Sequence, residues 1–178
     1  MPEILETPIH GVQITHLKVF GDDRGSFCEA FRASWFPGDR RWVQWNLSKS
    51  AANVVRGLHF HRLQTDYWIV TEGVLRAGLY DARPQSPTYR KSACVDLHAS
   101  TPRGLIIPPG VLHGYRGIRD ATIMYLLDQE YSGKDEFGIR WNDPDLHMPA
   151  AWYEGPTPTL SARDAASPTL ADSLDLPK

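Results

Sequence analysis

Short apolar runs separated by glycine and proline dominate the pattern of hydrophobic and polar positions along this chain. The clearest runs span residues 67–70, 74–80, 93–97, 105–107 and 121–127, and they are rich in β-branched and aromatic side chains. Such short runs are typical of β-strands. Turn-forming residues lie between them. The pattern predicts an all-β domain, either a sandwich or a barrel.

Helical content is expected to be small and confined to short or irregular segments near the two ends. Residues 33–41 can hold a helical turn, but Pro37 and Gly38 disfavour a longer helix. From Pro156 onward the chain is rich in Ser, Ala, Pro and Asp. We therefore expect one domain over residues 1–170 and a disordered tail over residues 171–178.

Composition and charge exclude several classes of function. The chain has 178 residues, 42% of them apolar, and a formal net charge of -2, so no overall field attracts nucleic acid or an anionic membrane. No apolar stretch reaches membrane-spanning length, and residues 1–20 do not resemble a signal peptide. Cys28 and Cys94 are too few for a disulfide framework, which favours reduced thiols in a cytoplasmic protein.

Three histidines and a carboxylate carry the most informative chemistry. His59 and His61 alternate along a predicted strand, so both side chains point to the same face. His113 follows a Pro-Pro-Gly turn, and Asp66 lies between the two sites. Together these residues can meet at the mouth of a barrel. From the residues alone, the group suits either acid–base catalysis by a histidine or a metal centre.

Arginine and aromatic residues nearby point to a phosphorylated ligand. Guanidinium groups bind phosphate in a bidentate manner, so Arg24 and Arg56 can hold a diphosphate. Phe27 and Tyr131 can stack on a nucleobase, although core packing is the commoner role of an aromatic side chain. Alternation places Tyr125 on one strand face with Ile123 and Leu127, where it is either a core tyrosine or a phenol that donates a proton to a carbanion across the barrel.

Seven motifs resemble, in order and spacing, the family of dTDP-4-dehydrorhamnose 3,5-epimerases, which are cupin-type jelly-roll β-barrels. The resemblance extends from about Gly11 to Leu170. The motifs that carry it are Asp23-Arg24-Gly25-Ser26-Phe27-Cys28-Glu29, Gln44-Trp45-Asn46-Leu47-Ser48, Arg56-Gly57-Leu58-His59-Phe60, residues 81–88, residues 108–115, Trp141-Asn142-Asp143-Pro144 and Leu160-Ser161-Ala162-Arg163-Asp164.

The resemblance implies an isomerase that epimerises a nucleotide-linked 4-keto-6-deoxy-hexose at C3, C5 or both. It implies His59 as the base, Asp164 as the carboxylate that orients it, and Tyr125 as the acid. The implied substrate-binding residues are Arg24, Phe27, Glu29, Gln44, Asn46, Arg56, His113 and Tyr131. The resemblance also implies no cofactor, and a homodimer in which part of the nucleotide-binding set crosses the interface.

Two positions depart from the family pattern and keep three interpretations open. Typical members have a glutamine at the position of His61 and a lysine at the position of Asp66. A carboxylate there repels the charge of an enolate. The chain is therefore an epimerase that takes a different substrate or acts at one centre only, a metal-dependent enzyme with the ligands His59, His61, Asp66 and His113, or a non-catalytic binding module for nucleotide sugars. A metal-bound His59 has no free lone pair to act as a base.

Overall fold

A computed structural model describes residues 2–36, 38, 40–174 and 176–177, and most of its regular structure is β. Strands β1 to β13 and one short helix, α1, follow in chain order. Their bounds are β1 Glu3–Glu6, β2 Gln13–His16, β3 Val19–Asp22, β4 Gly25–Cys28, β5 Gln44–Ser50, β6 Val55–Phe60, β7 Asp66–Glu72, β8 Val74–Asp81, β9 Ser92–His98, β10 Arg103–Ile107, β11 Val111–Gly117, β12 Ala121–Leu127, β13 Phe137–Gly138 and α1 Ala162–Ala165. Turns of 3-10 helix lie at Ala33–Trp35, Pro144–Leu146 and Ala150–Tyr153.

Two antiparallel sheets and a hairpin organise these strands. The first sheet has the order β1-β2-β10-β7-β12-β5, and the second has the order β13-β6-β11-β8-β9. Strands β3 and β4 pair only with each other. The turn between β7 and β8 requires Gly73, which has a φ of +71°, and a Cβ atom there would lie 1.9 Å from the carbonyl oxygen of Asp120.

The main hydrophobic core lies between the two sheets. It combines Trp68 and Ile123 from the first sheet with Leu75 and Leu79 from the second, all buried. The outer face of each sheet is also covered. Trp152 and its neighbours after β13 pack on the second sheet, and an aromatic cluster around Trp35 packs on the first. Coverage on both faces keeps the strands fixed, and so keeps the side chains at the open end of the core in place.

Strand alternation explains which side chains reach that open end. In β7, Tyr67 and Ile69 belong to the outer aromatic cluster, whereas Trp68 packs in the main core. The period of two therefore turns Asp66 inward beside Trp68. In β12 the same rule turns Tyr125 inward, where it packs against the main core.

The predicted strands and the all-β class are confirmed. Of the predicted helical turn at residues 33–41, the part at Ala33–Trp35 forms a 3-10 turn, while Pro37 and Asp39 lie outside the described residues. The domain boundary at residue 170 and the disordered tail stay predictions, and residues 175 and 178 lie outside the description. Leu176 packs, partly buried, against the outer cluster of the second sheet. The described part of the chain holds no helix long and apolar enough to cross a membrane.

Candidate active site

A cavity of about 290 Å³ opens between the two sheets. Both sheets contribute to its wall, and α1 closes one side of it. The residues predicted from the sequence that line it are Asn46, Arg56, His59, His61, Asp66, His113, Tyr125, Tyr131 and Asp164. Residues separated by more than a hundred positions in the chain thus share one space, as the prediction of a common site requires.

His59 forms a hydrogen bond with the carboxylate of Asp164. The distance from His59 Nε2 to Asp164 Oδ1 is 2.7 Å, and the Asp164 side chain is 4% exposed. Burial raises the pKa of Asp164, but the hydrogen bond and charge of His59, together with Ser161, hold that pKa below its usual value. Because a carboxylate only accepts hydrogen bonds, the contact with Asp164 favours a proton on Nε2, and the neutral ring then keeps the lone pair of a base on Nδ1.

An ion pair lies against the ring of His59 and contacts both of its nitrogens. Arg163 donates to both carboxylate oxygens of Glu136, at 2.7 and 2.9 Å, and its Nη2 lies 2.8 Å from His59 Nε2. Glu136 Oε1 lies 3.5 Å from His59 Nδ1, and Tyr131 donates its hydroxyl to Glu136. Burial raises the pKa of Glu136, yet Arg163, His59 and Tyr131 outweigh it and lower that pKa to about 2. The imidazole is therefore held between two ionised carboxylates.

His61, Asp66 and His113 form a second, more deeply buried group. One ligand atom from each of the three lies within 4.8 Å of the others. His61 Nδ1 donates to the carbonyl oxygen of Asp135 at 2.7 Å, and His113 Nδ1 donates to that of Val111 at 2.9 Å. Burial lowers the pKa of His113 to about 4, although the Asp66 carboxylate raises it, so this imidazole is neutral near pH 7. The structure leaves His59 outside this group.

Tyr125 faces the same cavity from the opposite sheet. It pairs with Trp68 across β7 and with Asn46 across β5. Burial raises the pKa of its hydroxyl, and the nearby Asp66 carboxylate raises it further. The phenol therefore stays protonated at neutral pH, as a proton donor must.

The predicted diphosphate-binding residues lie in the wall of the cavity or directly behind it. Arg56 lines the cavity and donates to Ser50 Oγ at 3.0 Å. Gln44 does not line the cavity, but it donates to Asn46 and accepts a bond from the backbone N–H of Tyr131. Gln44 thus supports two residues that do line it.

Arg24, Phe27 and Glu29 do not reach the cavity of their own chain. Arg24 pairs with Asp22 on the β3–β4 hairpin, and its side chain is 90% exposed. Phe27 is 68% exposed, and Glu29 pairs with Arg32. Within one chain, the structure does not bring these three predicted nucleotide-binding residues together with His59.

Sequence analysis missed the residues that support the two histidine groups. Arg163 directly precedes Asp164 in the motif Leu160-Ser161-Ala162-Arg163-Asp164, and this adjacency was an available signal. Glu136 lies in no motif, so nothing in the sequence marked it. Gln64 and Trp68 flank Asp66 at alternate positions, and both donate to its carboxylate, at 2.7 and 3.0 Å. That alternation was a second signal.

Comparisons with known proteins agree with this architecture. The family model of dTDP-4-dehydrorhamnose 3,5-epimerase matches residues 6–172. The enzyme of that name from Salmonella typhimurium is 36% identical over 179 residues, which cover 96% of this chain and 97% of the relative.

Two solved structures also superimpose closely. One is dTDP-6-deoxy-D-glucose-3,5-epimerase RmlC from Legionella pneumophila, in complex with dTDP-4-keto-L-rhamnose. It has a TM-score of 0.92 and 32% identity, and the match covers 100% of this chain and 98% of that one. The other is ChmJ, a 3'-monoepimerase from Streptomyces bikiniensis in complex with dTDP-quinovose. It has a TM-score of 0.85 and 29% identity, with 92% and 85% coverage.

The two-sheet β fold with a histidine–carboxylate pair in its cavity, taken together with these matches, identifies the class as a sugar isomerase. The chain belongs to the dTDP-4-dehydrorhamnose 3,5-epimerase family. The predicted family, fold and enzyme class are confirmed.

Proposed function

We propose that this protein epimerises a dTDP-linked 4-keto-6-deoxy-hexose at C3, C5 or both, by proton transfer through His59. The 4-keto group acidifies the hydrogens on the two neighbouring carbons. His59 removes one of them to give an enolate, and a proton returned to the opposite face inverts the centre. The sugar substrates named for the relatives support this choice of substrate.

The observation that carries the proposal is the 2.7 Å contact between His59 Nε2 and Asp164. A carboxylate at Nε2 favours the tautomer with its lone pair on Nδ1, and this supports Nδ1 as the base. The ionised Asp164 also stabilises the imidazolium that forms when His59 takes the proton. A histidine without such a partner is free to rotate and to protonate on either nitrogen.

Tyr125 is the proposed acid on the opposite face. It lines the same cavity as His59 but projects from the other sheet, so a substrate between them has one group on each side. Its raised pKa keeps the proton on the phenol until an enolate or carbanion needs it.

Deuterium wash-in tests the proposal. A dTDP-4-keto-6-deoxy-hexose is incubated with the protein in heavy water, and exchange at C3 and C5 is followed by NMR. We expect exchange with the wild type, and a loss of roughly 10²–10⁴-fold for His59→Ala. His10→Ala is the control, since His10 is exposed and does not line the cavity.

Tyr125→Phe separates the two proton transfers. Removal by His59 should persist, so exchange continues, while inverted product forms more slowly. Tyr89→Phe, at an exposed position, controls for the loss of a phenol. Wild-type protein that binds the sugar nucleotide without exchanging any proton would overturn the proposal in favour of a binding module.

The active form is proposed to be a homodimer that completes the nucleotide site. Strand β5 is an edge strand of the first sheet, and its outward residues Trp45 and Leu47 are 59% and 72% exposed. Exposed apolar residues on a sheet edge mark an interaction surface. Arg24 and Phe27 are exposed on the β3–β4 hairpin and do not line the cavity of their own chain. In a two-fold dimer they can reach the partner's site.

A mixed dimer tests this arrangement. When Arg24→Ala and His59→Ala protomers are mixed, each mixed dimer has one site with its own His59 and the partner's Arg24. Mixing should then restore activity to about a quarter of the wild-type value, because half of the dimers are mixed and each has one intact site. No recovery after confirmed subunit exchange would place Arg24 in its own chain's site.

A cytoplasmic location is part of the same proposal. Cys28 and Cys94 are both free thiols, which supports a reducing environment.

A further inference from the structure

We propose that His61, Asp66 and His113 form a binding site for one divalent transition-metal ion, separate from His59. The three side chains are buried, at 7%, 3% and 6% exposure, and line the wall of the cavity. Two imidazoles and one carboxylate, with room for further ligands, suit Fe(II), Mn(II), Co(II), Ni(II) or Zn(II).

Both imidazoles present the correct nitrogen. His61 and His113 each use Nδ1 to donate to a backbone carbonyl oxygen. Since a carbonyl cannot donate, Nδ1 carries the proton in each ring and Nε2 keeps its lone pair. An imidazole bonded in this way to a carbonyl is the usual form of a metal-ligating histidine, because the second bond fixes both tautomer and orientation.

The carboxylate is held just as firmly. Gln64 donates to Asp66 Oδ1 at 2.7 Å, and Trp68 Nε1 donates to Asp66 Oδ2 at 3.0 Å. Each oxygen can accept a further bond, because a carboxylate has about four lone-pair positions. Asp66 opens β7 and the two histidines lie in or beside the opposite sheet, so both sheets contribute ligands.

The three functional groups face each other without forming hydrogen bonds among themselves. His113 Nε2 lies 3.8 Å from Asp66 Oδ2, which is beyond hydrogen-bonding distance. Metal–ligand distances of about 2.0–2.2 Å place neighbouring ligands of a tetrahedral ion about 3.4 Å apart. The observed separations, at most 4.8 Å, approach that value after side-chain shifts of about an ångström or less.

The backbone around the ligands is also tied together. The carbonyl oxygen of His61 accepts the backbone N–H of Gly110 at 2.7 Å, so the loop after β6 is joined to the turn before β11. Gly110 has a φ of +79°, and a Cβ atom there would meet the side chain of Arg83 at 2.6 Å. These contacts tie the loop that carries His61 to the start of the strand that carries His113.

His59 remains available as a base when this site is filled. Its Nε2 is engaged by Asp164, and it lies outside the group of potential ligands. A metal at His61, Asp66 and His113 is therefore compatible with proton transfer at His59. Any effect of the ion's positive charge on an enolate in the same cavity rests on the proposed function. Binding of the ion itself does not depend on the proposed function.

The site is tested by titrating metal-stripped full-length protein with Co(II). Binding is measured by calorimetry and by visible absorption. We expect one ion per chain, with affinity reduced more than about a hundredfold by His61→Gln, Asp66→Asn or His113→Gln. His59→Gln and the exposed-site control His10→Ala should retain binding. X-ray absorption of Zn(II)-loaded wild type should show two imidazole ligands, a result that depends on no variant being folded.

Absence of stoichiometric binding, or binding that survives all three ligand substitutions, would overturn the proposal. Loss of binding in His59→Gln would also overturn it, because His59 would then be a ligand. Deuterium exchange measured on the same stripped protein reports on the proposed function separately, so failure of one does not imply failure of the other.

Discussion

Two histidines separated by one residue occupy different chemical environments in this cavity. His59 Nε2 meets the carboxylate of Asp164, and the ion pair of Glu136 and Arg163 contacts both nitrogens of the same ring. His61 meets a backbone carbonyl through Nδ1 and turns Nε2 toward Asp66 and His113. Strand alternation places both rings on one wall, but their partners are supplied by distant parts of the chain.

The two proposed roles therefore rest on the partner of each imidazole rather than on its place in the motif. A carboxylate partner stabilises the protonated ring and suits a base that must accept a proton. A carbonyl partner fixes a neutral ring with an exposed lone pair and suits a ligand. The sequence pattern treats the two histidines as equivalent, and the structure separates them.

The largest effects are expected when one carboxylate is removed at a time, either Asp164 beside His59 or Asp66 beside His61 and His113. Asp164→Asn should lose most of the roughly 10²–10⁴-fold that a positioned base contributes to deuterium exchange, while Co(II) affinity changes little. Asp66→Asn should weaken Co(II) binding more than about a hundredfold. Asp23→Asn, at an exposed position, is the control for both measurements. Equal loss of both properties in both variants would contradict the separation.

A weaker effect is expected from the hydrogen bonds behind Asp66. Gln64→Leu removes the 2.7 Å donor to Oδ1 and leaves the three ligands in place. Co(II) affinity should fall by about 10–100-fold, as is typical when a residue supporting a ligand is removed. Calorimetric titration measures it against Gln85→Leu at an exposed position. An unchanged affinity would mean that Gln64 does not hold the carboxylate for a metal.

The ion pair beside His59 predicts a pH-dependent stability. The groups that face Glu136 are His59, Arg163 and Tyr131, and they lower its pKa from an ordinary value of 4.5 to about 2. A lowered pKa stabilises the fold above the unfolded value, and this stabilisation is lost as the pH falls toward 2. Because Arg163 is half exposed, screening limits the contribution to about 1–2 kcal/mol.

Urea unfolding of Glu136→Gln measures that contribution. The wild type should be more stable than the variant near pH 6, and the two should converge as the pH falls through 4 toward 2. Glu130→Gln, at an exposed position, is the control. A stability difference that is the same at every pH would assign the effect to packing rather than to charge.

The smallest effect is expected from the hydrogen bond that Tyr131 donates to Glu136 in the same ion pair. Tyr131→Phe removes the 2.9 Å hydrogen bond to Glu136, while the side chain is 55% exposed. Water replaces most of this bond, so the free energy of unfolding should fall by only about 0.5 kcal/mol. Urea unfolding compares it with Tyr89→Phe. A loss above 2 kcal/mol would show that Tyr131 holds the ion pair in place.

Local sequence patterns predicted the strands because successive side chains of a strand enter two different environments, one on each face of the sheet. In β7, Tyr67 and Ile69 enter one cluster and Trp68 the other, which is what a period of two requires. The cavity followed from inward positions on several such strands. The family resemblance supplied Tyr125 and Asp164, which no local pattern connects to His59.

The remaining features depend on contacts that no local pattern contains. Glu136 reaches His59 from 77 positions away, through a segment with no distinctive motif. The tautomers of His61 and His113 depend on the carbonyl oxygens of Asp135 and Val111, and a backbone oxygen has no sequence signature. Arg24 does not line the cavity of its own chain, so its proposed role requires a partner that one sequence does not display.

The central claim is that His59 acts as a base and His61 as a metal ligand. Its most direct test uses one variant. His59→Gln is measured for deuterium exchange of a dTDP-4-keto-6-deoxy-hexose and for Co(II) affinity in the same preparation. The account predicts that exchange falls by roughly 10²–10⁴-fold while Co(II) still binds at one ion per chain with little change in affinity. Loss of both properties together, or retention of full exchange, would contradict it.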